Sequence, residues 1–491
     1  MARLTRRALL IAGGAGALAG CTGLGEFLGQ GSASPTPPAR DASLERWLST
    51  REAPYFIGHR GAGDVVPEHT LPAYLQALDW NAECLEVSVV MSSDGVLYCH
   101  HDLTLDRTTN ATGTIEDLPS SSLDQVRVTV PRLGSYWVGE GLPTLPRLDA
   151  VLDEIGGRAV LCIEPKLDAA YDALVATITA RELTGSVMLK LDASSTRIES
   201  AKQAGFPVFA YLGNAEVATA EAVTETAARL DPRTDALILP TRDDEGMLAP
   251  DRIIHAVATG IPIWVFPVHR RYEVEYFSRL GVQGMVSPDL GYLTGAVRPV
   301  NSDAWRTDRI SAGELTRFPY SDRFALEWPG DGVVALGFPD RMSFLTLGNV
   351  CPITQPSYRV SVDVAYDPLP SDDWQHVSIA FGHADDRYYQ HRLGDADGYH
   401  ALLRADGNLA VYAHQAGDPD GEALTENVQT GLLRPGVWSR LTLTVTPEEI
   451  LWARDDGTSV RAGDRRFRGG YLHIGSSATD GRLLLRNLRI S

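Results

Sequence analysis

The chain has 491 residues, 44% of them hydrophobic, and a formal net charge of −19. This length exceeds one ordinary hydrophobic core and predicts two domains with additional tails. The acidic balance argues against nucleic acid as a partner, because a surface of this sign repels a phosphate backbone. An anionic substrate would therefore require positive charge or a metal concentrated locally in its site.

The first residues have the composition of an export signal and not of a folded element. Arg6 and Arg7 precede a short apolar stretch, which resembles a twin-arginine signal, and the Leu-Ala-Gly-Cys that ends at Cys21 resembles a lipobox. These motifs imply a signal peptide over residues 1–20, acylation of Cys21, and a flexible tether over residues 21–50. We expect an exported protein, anchored by lipid to the outer face of the cell membrane. The alternative is an ordinary signal peptide with a chance cysteine.

Four further cysteines lie at positions 84, 99, 162 and 351. The first three fall in apolar segments, where a cysteine usually packs as a small buried side chain. A disulfide between Cys84 and Cys99 is compatible with export, and the sequence leaves that pairing open.

Residues 51–295 alternate short apolar runs with amphipathic stretches. The runs are typical of parallel strands covered on both faces, and the stretches have helical spacing. Eight such strands predict a TIM-like (β/α)8 barrel, with the active site at the C-terminal ends of its strands. The predicted strands are Tyr55–His59, Cys84–Val90, Val160–Pro165, Val187–Leu191, Val208–Leu212, Ala236–Pro240, Ile263–Val268 and Gly284–Ser287.

The pattern changes after a predicted linker at residues 296–317. Within residues 318–491, polar and apolar residues alternate, as in Tyr358–Tyr366, and Asp406-Gly407 is a hairpin signal. The prediction is an all-β sandwich, and its pattern resembles the concanavalin or laminin-G type of jelly roll. Its tryptophans make an envelope glycan the expected ligand of this domain.

Residues suited to phosphate chemistry gather at the ends of the first predicted strands. Histidines can act as acid and base, carboxylates can hold a hard cation, and basic side chains can offset charge on phosphoryl oxygens. This is the inventory for cleaving a phosphate diester. The residues are His59, Arg60, Glu86, His101, Glu164 and Lys166.

These residues belong to seven short motifs. In chain order the motifs are His59-Arg60-Gly61, Pro67-Glu68-His69-Thr70, Glu86-Val87-Ser88, Asp94-Gly95, His101-Asp102, Leu105-Asp106-Arg107-Thr108-Thr109 and Ile163-Glu164-Pro165-Lys166. The ordered set resembles the glycerophosphodiester phosphodiesterase family over roughly residues 54–292. The resemblance implies a TIM barrel, a divalent metal, and hydrolysis of glycerophosphodiesters to an alcohol and glycerol phosphate.

The resemblance also implies a role for individual residues. His59 and His101 would be the acid–base pair, with the substrate's own 2-hydroxyl attacking phosphorus. Which histidine is the acid is left open. Glu86 and Glu164 would bind the metal, Ca²⁺ or Mg²⁺.

Three more residues are expected to contact the substrate. Arg60 would hold the phosphate, and Lys166 would lie near the metal and the phosphate. Trp264 would wall the substrate pocket, although packing within the barrel is an equal alternative for this side chain.

The chain departs from the family pattern at three positions. Ser88 stands where the family has a second metal-binding aspartate, which predicts weakened metal binding because a hydroxyl is a poorer ligand than a carboxylate. His69 replaces an asparagine. Lys190 lies where the family has Ser-Phe-Asp, and it would either point into the barrel and share the metal's electrostatic role or lie outside in solvent.

The sequence therefore predicts an extracytoplasmic phosphodiesterase. Its expected substrates are glycerophosphodiesters or glycerol-phosphate polymers of the envelope. A different class of function is a catalytically weakened barrel that acts as an envelope-binding lipoprotein. A sphingomyelinase-D-like phospholipase shares the barrel and the two histidines, but the motifs around Arg60 and Leu105–Thr109 fit the glycerophosphodiesterase pattern better.

Overall fold

A computed structural model describes residues 41–139, 141–243, 246–319, 321–337, 343–389, 396–418 and 420–491. The predicted signal peptide, Cys21 and most of the predicted tether lie outside these residues. Residues 40–491 form one compact unit. Within the described residues, no helix is both long and apolar enough to cross a membrane.

The first part of this unit is a closed barrel of eight parallel strands. The strand order is β1-β11-β10-β7-β6-β5-β4-β2, and pairing of β1 with β2 closes the ring. The elements are α1 (Leu44–Thr50), β1 (Tyr55–Gly58), α2 (Leu71–Asp79), β2 (Cys84–Met91), β3 (Leu97–Cys99), α3 (Ser120–Leu123), α4 (Leu148–Ile155), β4 (Val160–Pro165), α5 (Tyr171–Ala180), β5 (Val187–Asp192), α6 (Ile198–Gln203), β6 (Val208–Tyr211), α7 (Ala220–Ala227), β7 (Ala236–Pro240), β8 (Arg242–Asp243), β9 (Gly246–Met247), α8 (Pro250–Val257), β10 (Ile263–Phe266), α9 (Arg271–Arg279), β11 (Gly284–Ser287) and α10 (Leu290–Thr294).

The barrel confirms the fold class predicted for this part of the chain. Each predicted strand coincides with a barrel strand to within two residues at either end. The reason is that a barrel strand is covered inside by other strands and outside by helices, so it reads as an almost continuous apolar run. Strand β3 is an addition to the ring, since it pairs with β2 in an antiparallel hairpin.

Helix α1 closes the N-terminal end of the barrel. Its Leu44 and Trp47 are buried in the interior cluster, where the Trp47 ring lies 5.5 Å from Tyr55 and 6.1 Å from Trp264. The end of the predicted tether is therefore a packed helix and not a flexible segment. With this end filled by aromatic rings, only the C-terminal end of the barrel is available for a site.

The barrel interior also answers the question about the cysteines. The Cys84 thiol lies 3.4 Å from the thiol of Cys162, and not beside Cys99. Cys99 contacts the hydroxyl of Tyr74 instead. All four described cysteines are buried and free, so the Cys84–Cys99 disulfide does not form in this structure.

The second part is a sandwich of two antiparallel sheets, as predicted from the alternating pattern. One sheet has the order β12-β15-β25-β17-β18-β19-β20, with β21 also on β19, and the other has β13-β14-β26-β16-β22-β23-β24. Side chains from both sheets fill one hydrophobic core. The strands are β12 (Glu314–Leu315), β13 (Glu327–Gly330), β14 (Val333–Leu336), β15 (Ser343–Leu347), β16 (Tyr358–Tyr366), β17 (His376–Gly382), β18 (Gly398–Arg404), β19 (Asn408–His414), β20 (Glu422–Ala423), β21 (Val428–Gln429), β22 (Ser439–Val445), β23 (Ile450–Arg454), β24 (Ser459–Ala462), β25 (Gly469–Ser476) and β26 (Leu483–Ile490).

Buried polar contacts join the sandwich to the barrel. Arg270, which precedes α9, donates to the Thr346 hydroxyl at 2.8 Å and to the Asp386 carbonyl at 2.7 Å. The Asp386 carboxylate in turn accepts the first backbone amides of α9, from Arg271 and Tyr272, each at 2.8 Å. A residue of the sandwich thus caps a helix of the barrel, where a negative charge is favourable.

Candidate active site

Four buried side chains meet inside the C-terminal end of the barrel. Glu86 of β2, Glu164 of β4 and Lys190 of β5 point inward, and His59 follows β1. The Lys190 ammonium donates to Glu86 Oε1 and lies 2.9 Å from Glu164 Oε2, while His59 Nε2 lies 3.3 Å from Glu86 Oε2. One ammonium therefore bridges two carboxylates from neighbouring strands.

Lys190 thus points into the barrel, which was one of the two alternatives. Burial lowers the pKa of its ammonium, but the adjacent Glu164 and Glu86 outweigh burial and raise it. Burial raises the pKa of Glu164. The nearby Lys190 and Lys166 lower it by more than burial raises it, so the net pKa is lowered and the carboxyl stays ionised. The net effect is a set of charges that stabilise one another.

Ser88 and Lys166 complete the surroundings of Glu164. The Ser88 hydroxyl donates to Glu164 Oε2 at 3.1 Å, and Lys166 Nζ donates to Oε1 at 3.0 Å. Ser88 lies two residues after Glu86 on β2, so both face the barrel interior. The structure brings these predicted residues together as one cluster.

The second predicted histidine lies on the rim in a chain of charged partners. His101 Nδ1 is 2.7 Å from Asp102 Oδ1, and Arg107 Nε donates to the other oxygen of Asp102 at 2.6 Å. Arg107 also donates two hydrogen bonds to Glu68. The same carboxylate accepts a third hydrogen bond, from Arg60, at 2.9 Å. The same network therefore fixes His101, one member of the predicted acid–base pair, and Arg60, the predicted phosphate-binding residue.

The surroundings lower the pKa of both histidines, which favours their neutral forms. Burial, followed by the positive charges of Arg60 and Lys190, lowers the pKa of His59 well below its ordinary value. Burial and Arg60 also lower the pKa of His101, but its bond to Asp102 opposes them. Each histidine has a carboxylate nearby: His101 bonds to Asp102, which also accepts from Arg107, whereas His59 lies beside Glu86, which also accepts from the Lys190 ammonium.

The two other histidines of this region have different surroundings. His69 adopts a left-handed φ of 56°, bonds to the Tyr74 hydroxyl at 2.8 Å, and stacks on His101 with ring centroids 6.5 Å apart. His100 points away, with its ring nitrogens near the Asp102 carbonyl and the Thr108 hydroxyl at 3.1 and 3.2 Å. His69 therefore supports the rim from behind His101, and His100 anchors the loop.

Trp264 packs within the barrel, which was the second of the two alternatives for this side chain, and it does not wall a pocket. The side chain has no exposed surface, and its indole donates to the Tyr55 hydroxyl at 2.8 Å in the layer beneath the site. Phe266, two residues further along β10, is the aromatic residue at the rim, with its ring 5.9 Å from the Lys190 ammonium. Along a strand both residues face inward, and only depth separates them.

A cavity of about 560 Å³ opens beside this cluster. Loops that follow β6, β7 and β10 line it, together with Arg317–Pro319, which follow the first strand of the sandwich, β12. Phe266 belongs to both the cluster and the cavity. The lining includes Thr241, Arg242, Phe266, His269, Arg317 and Phe318.

Two features of the site were missed in the sequence analysis. Glu68 is the buried hub that Arg60 and Arg107 share, and its place in Pro67-Glu68-His69-Thr70 was the available signal. Asp64 pairs with His269 at 2.6 Å, linking the loop after β1 to the loop after β10. No sequence signal joins these two, because 204 intervening residues separate them and neither lies in a motif.

The donor set does not fit a hard divalent cation. Among the described residues, no group of three His, Cys, Asp or Glu side chains is arranged to hold a metal ion. The space between the two candidate ligands, Glu86 and Glu164, contains the Lys190 ammonium. Such cations prefer several anionic oxygens, and here two carboxylates already share a cation of the chain itself.

The part of the chain that contributes most of these site residues is similar to known proteins. Residues 59–167 match the model of the glycerophosphoryl diester phosphodiesterase family. A glycerophosphodiester phosphodiesterase of Bacillus subtilis is 33% identical over 143 residues, which cover 26% of this chain and 47% of that protein. Human glycerophosphodiester phosphodiesterase 1 is 36% identical over 118 residues, 23% of this chain and 34% of that protein. The chain thus spans less than half the length of these curated relatives.

Solved structures give a similar result. A phosphodiesterase of Oleispira antarctica in complex with the product sn-glycerol-3-phosphate is 20% identical, with a TM-score of 0.42, and the match covers 50% of this chain and 97% of that chain. A glycerophosphodiester phosphodiesterase of Agrobacterium tumefaciens is 25% identical, with a TM-score of 0.37 and coverage of 48% and 97%. In both cases the match covers about half of this chain.

Proposed function

We propose that this protein is an enzyme that hydrolyses glycerophosphodiesters to an alcohol and glycerol phosphate. The observation that carries the proposal is the convergence of His59, His101 and Arg60 on a cluster that already contains Lys190. The family similarity of residues 59–167 supports the same chemistry. A barrel that only binds a ligand has no need of an acid–base pair, so the binding-lipoprotein alternative is not favoured.

The geometry suggests how the residues divide the work. Arg60 and Lys166 offer positive charge to the phosphoryl oxygens at the rim. His101 is suited to accept and pass on the proton of the attacking hydroxyl, because Asp102 stabilises its imidazolium form and orients the ring. Burial, followed by the positive charges of Arg60 and Lys190, favours the neutral form of His59, which can hydrogen-bond the departing or attacking oxygen.

In the family, a divalent metal supplies charge stabilisation of the phosphoryl group when it is bound. Glu86, Glu164 and Ser88 are the residues that would hold such an ion in this chain. Because they do not fit it, the proposed mechanism includes no step through a metal.

The activity can be tested with the purified protein on a panel of substrates. The panel contains glycerophosphocholine, glycerophosphoethanolamine, glycerophosphoinositol and a glycerol-phosphate polymer, and release of glycerol phosphate is measured enzymatically. We expect turnover of at least one member. Absence of glycerol phosphate from every member, with the protein shown to be folded, would contradict the proposal.

We also propose that the protein acts outside the cytoplasm, with Cys21 as its lipid attachment site. The motif ending at Cys21 supports this, although it lies outside the described residues. In cells, a Cys21→Ala protein should lose lipid labelling and membrane retention, because the acyl chains supply the apolar anchor. Unchanged labelling and equal retention in cell fractions would reject the assignment.

The sandwich of residues 318–491 remains a proposed glycan-binding region. Trp374, which is half exposed, is the tryptophan available to stack on a sugar, whereas Trp452 is fully buried in the core. Retention of the protein on purified cell-wall material, reduced in a Trp374→Ala variant, would support this role. Equal retention of both proteins would exclude Trp374 from it.

A further inference from the structure

Lys190 places a positive charge between the two glutamates of the site. The side chain is buried, and it reaches from β5 past β4 to contact a carboxylate on β2. Strands β2 and β4 are paired so that Ser88 lies opposite Glu164, which places the two glutamates at adjacent depths in the barrel. The ammonium therefore lies where the two candidate metal ligands converge.

The charge balance of this cluster explains why Ser88 and Lys190 occur together. In the family pattern, three carboxylates around a divalent cation carry one net negative charge. In this chain, Glu86 and Glu164 around one ammonium also carry one net negative charge. Loss of the carboxylate at position 88 and gain of the lysine at position 190 thus compensate each other.

A metal ion added to this arrangement would meet an unfavourable site. It would have to displace the Lys190 ammonium from Glu86 and Glu164 or bind beside it, where like charges repel at low dielectric. Ser88 could contribute only a neutral oxygen, and its hydroxyl already donates to Glu164. Lys166 adds a second positive charge on the other oxygen of Glu164.

We propose that Lys190 is a built-in replacement for the divalent metal, so that this barrel neutralises the substrate phosphate without binding Ca²⁺ or Mg²⁺. The inference rests on the proposed function for its catalytic meaning, but its central claim concerns cation binding alone. Two of the three ammonium protons are directed at carboxylates. On its side towards the rim, the ammonium is flanked by the rings of Tyr211 and Phe266, whose centroids lie 4.9 and 5.9 Å from Nζ.

Metal binding can be measured directly, by calorimetric titration of the chelator-treated protein with CaCl₂ and with MgCl₂. We expect no saturable binding at the site by the wild type. The double variant Ser88→Asp with Lys190→Ala restores three carboxylates and removes the ammonium, so it should bind one cation per chain saturably, under conditions in which the wild type binds none. Thermal unfolding with and without metal gives a second measure, since a cation that binds the folded state raises the unfolding midpoint.

Two controls make the result specific. Lys202→Ala removes a partly exposed lysine elsewhere on the barrel, and it should leave metal binding as in the wild type. If the double variant does not fold, the wild-type titrations still decide the question. Stoichiometric, submillimolar Ca²⁺ or Mg²⁺ binding by the wild type that Glu86→Gln abolishes would overturn the proposal.

Activity measured with and without a chelator tests the replacement of the metal separately from the proposed hydrolase function. If the enzyme turns over a glycerophosphodiester, the rate should be unchanged by a chelator, and Lys190→Ala should lower it at least a hundredfold without metal. Loss of wild-type activity with chelator and its recovery with metal would refute the replacement but not the hydrolase. Absence of all turnover would refute the hydrolase, while the titrations would still test the cation site.

Discussion

At the scale of single residues, the site is organised by paired charges, which are centred on the buried Glu68 and extend to the partly exposed rim. Glu68 accepts hydrogen bonds from Arg60 and Arg107, and Asp102 joins Arg107 to His101. Removing one partner of such a pair leaves an uncompensated buried charge, which costs far more than an exposed pair contributes. The rim therefore keeps its geometry before any substrate arrives, which favours positioning of the phosphate.

The role assigned to His101 gives a prediction at this scale. His101→Ala should lower kcat by ~10²–10⁴, which is the usual contribution of an acid–base group. The unfolding midpoint should change little, because the side chain is partly exposed at the rim. The matched control is His255→Ala on the exposed face of α8. Near-normal turnover by the His101 variant in the glycerol phosphate assay would remove this residue from the mechanism.

At the scale of elements, helix α1 covers the N-terminal end of the barrel and packs into its interior. The Arg51 guanidinium that follows it lies 4.6 Å from the ring centroids of both Trp47 and Tyr55. This contact covers the aromatic layer from the solvent side with a cation, an arrangement that is favourable over indole and phenol rings. The helix consequently belongs to the barrel, although it precedes the first strand.

Removing the Trp47 side chain of α1 should destabilise the protein. Trp47→Ala should cost about 3–5 kcal/mol of unfolding free energy, because it leaves a cavity among Tyr55 and Trp264. Trp374→Ala is the matched control, since that side chain is 52% exposed. Urea unfolding of both variants checks the prediction, and an equal, small change in the two midpoints would mean that α1 does not stabilise the barrel.

At the scale of the whole molecule, the sandwich is joined to the barrel close to the site. Arg270 and Asp386 form the buried contact, and the segment Arg317–Pro319 lines the cavity beside the cluster. Strand β12, which lies inside the predicted linker, already pairs with β15 of the sandwich. The sandwich region is thus placed to influence what enters the cavity.

The sandwich also contains buried histidines that tie its stability to pH. Burial lowers the pKa of His383 to about 4, and the ring packs against Tyr389 and His473. The nearby charged and titratable groups are Asp385, which opposes the shift, and His414 and Arg387, which add to it. The folded protein therefore binds this proton less readily than the unfolded chain, whose histidine has a pKa near 6.5.

This difference determines the sign of the pH effect. His383 contributes stability above pH 6.5, and the contribution is lost as the pH falls from 6.5 through 4, by about 3 kcal/mol in all. His383→Phe keeps the aromatic packing and should flatten the acid side of the stability curve. His255→Phe is the exposed control. Unfolding midpoints at several pH values test this, and identical acid sensitivity of the His383 variant and the wild type would contradict it.

The sequence by itself determined the barrel, the sandwich and most members of the site. Apolar runs bounded by polar residues mark strands that are covered on both faces, and the ordered motifs placed His59 and Glu164 at strand ends and Glu86 within the second strand. These are local signals, because each depends on a few consecutive residues. They required no knowledge of which strands are neighbours.

Only the tertiary structure decided which side chains meet and how deep they lie. A strand covered on both faces has apolar residues pointing in both directions, so the pattern alone does not show whether Lys190 faces the interior. Depth along the barrel likewise separated Trp264 from Phe266, and the barrel's closure brought Cys84 beside Cys162. The pairing of Lys190 with Glu86 depends on residues 104 apart, and long-range strand register is set by packing of the whole barrel and not by local sequence.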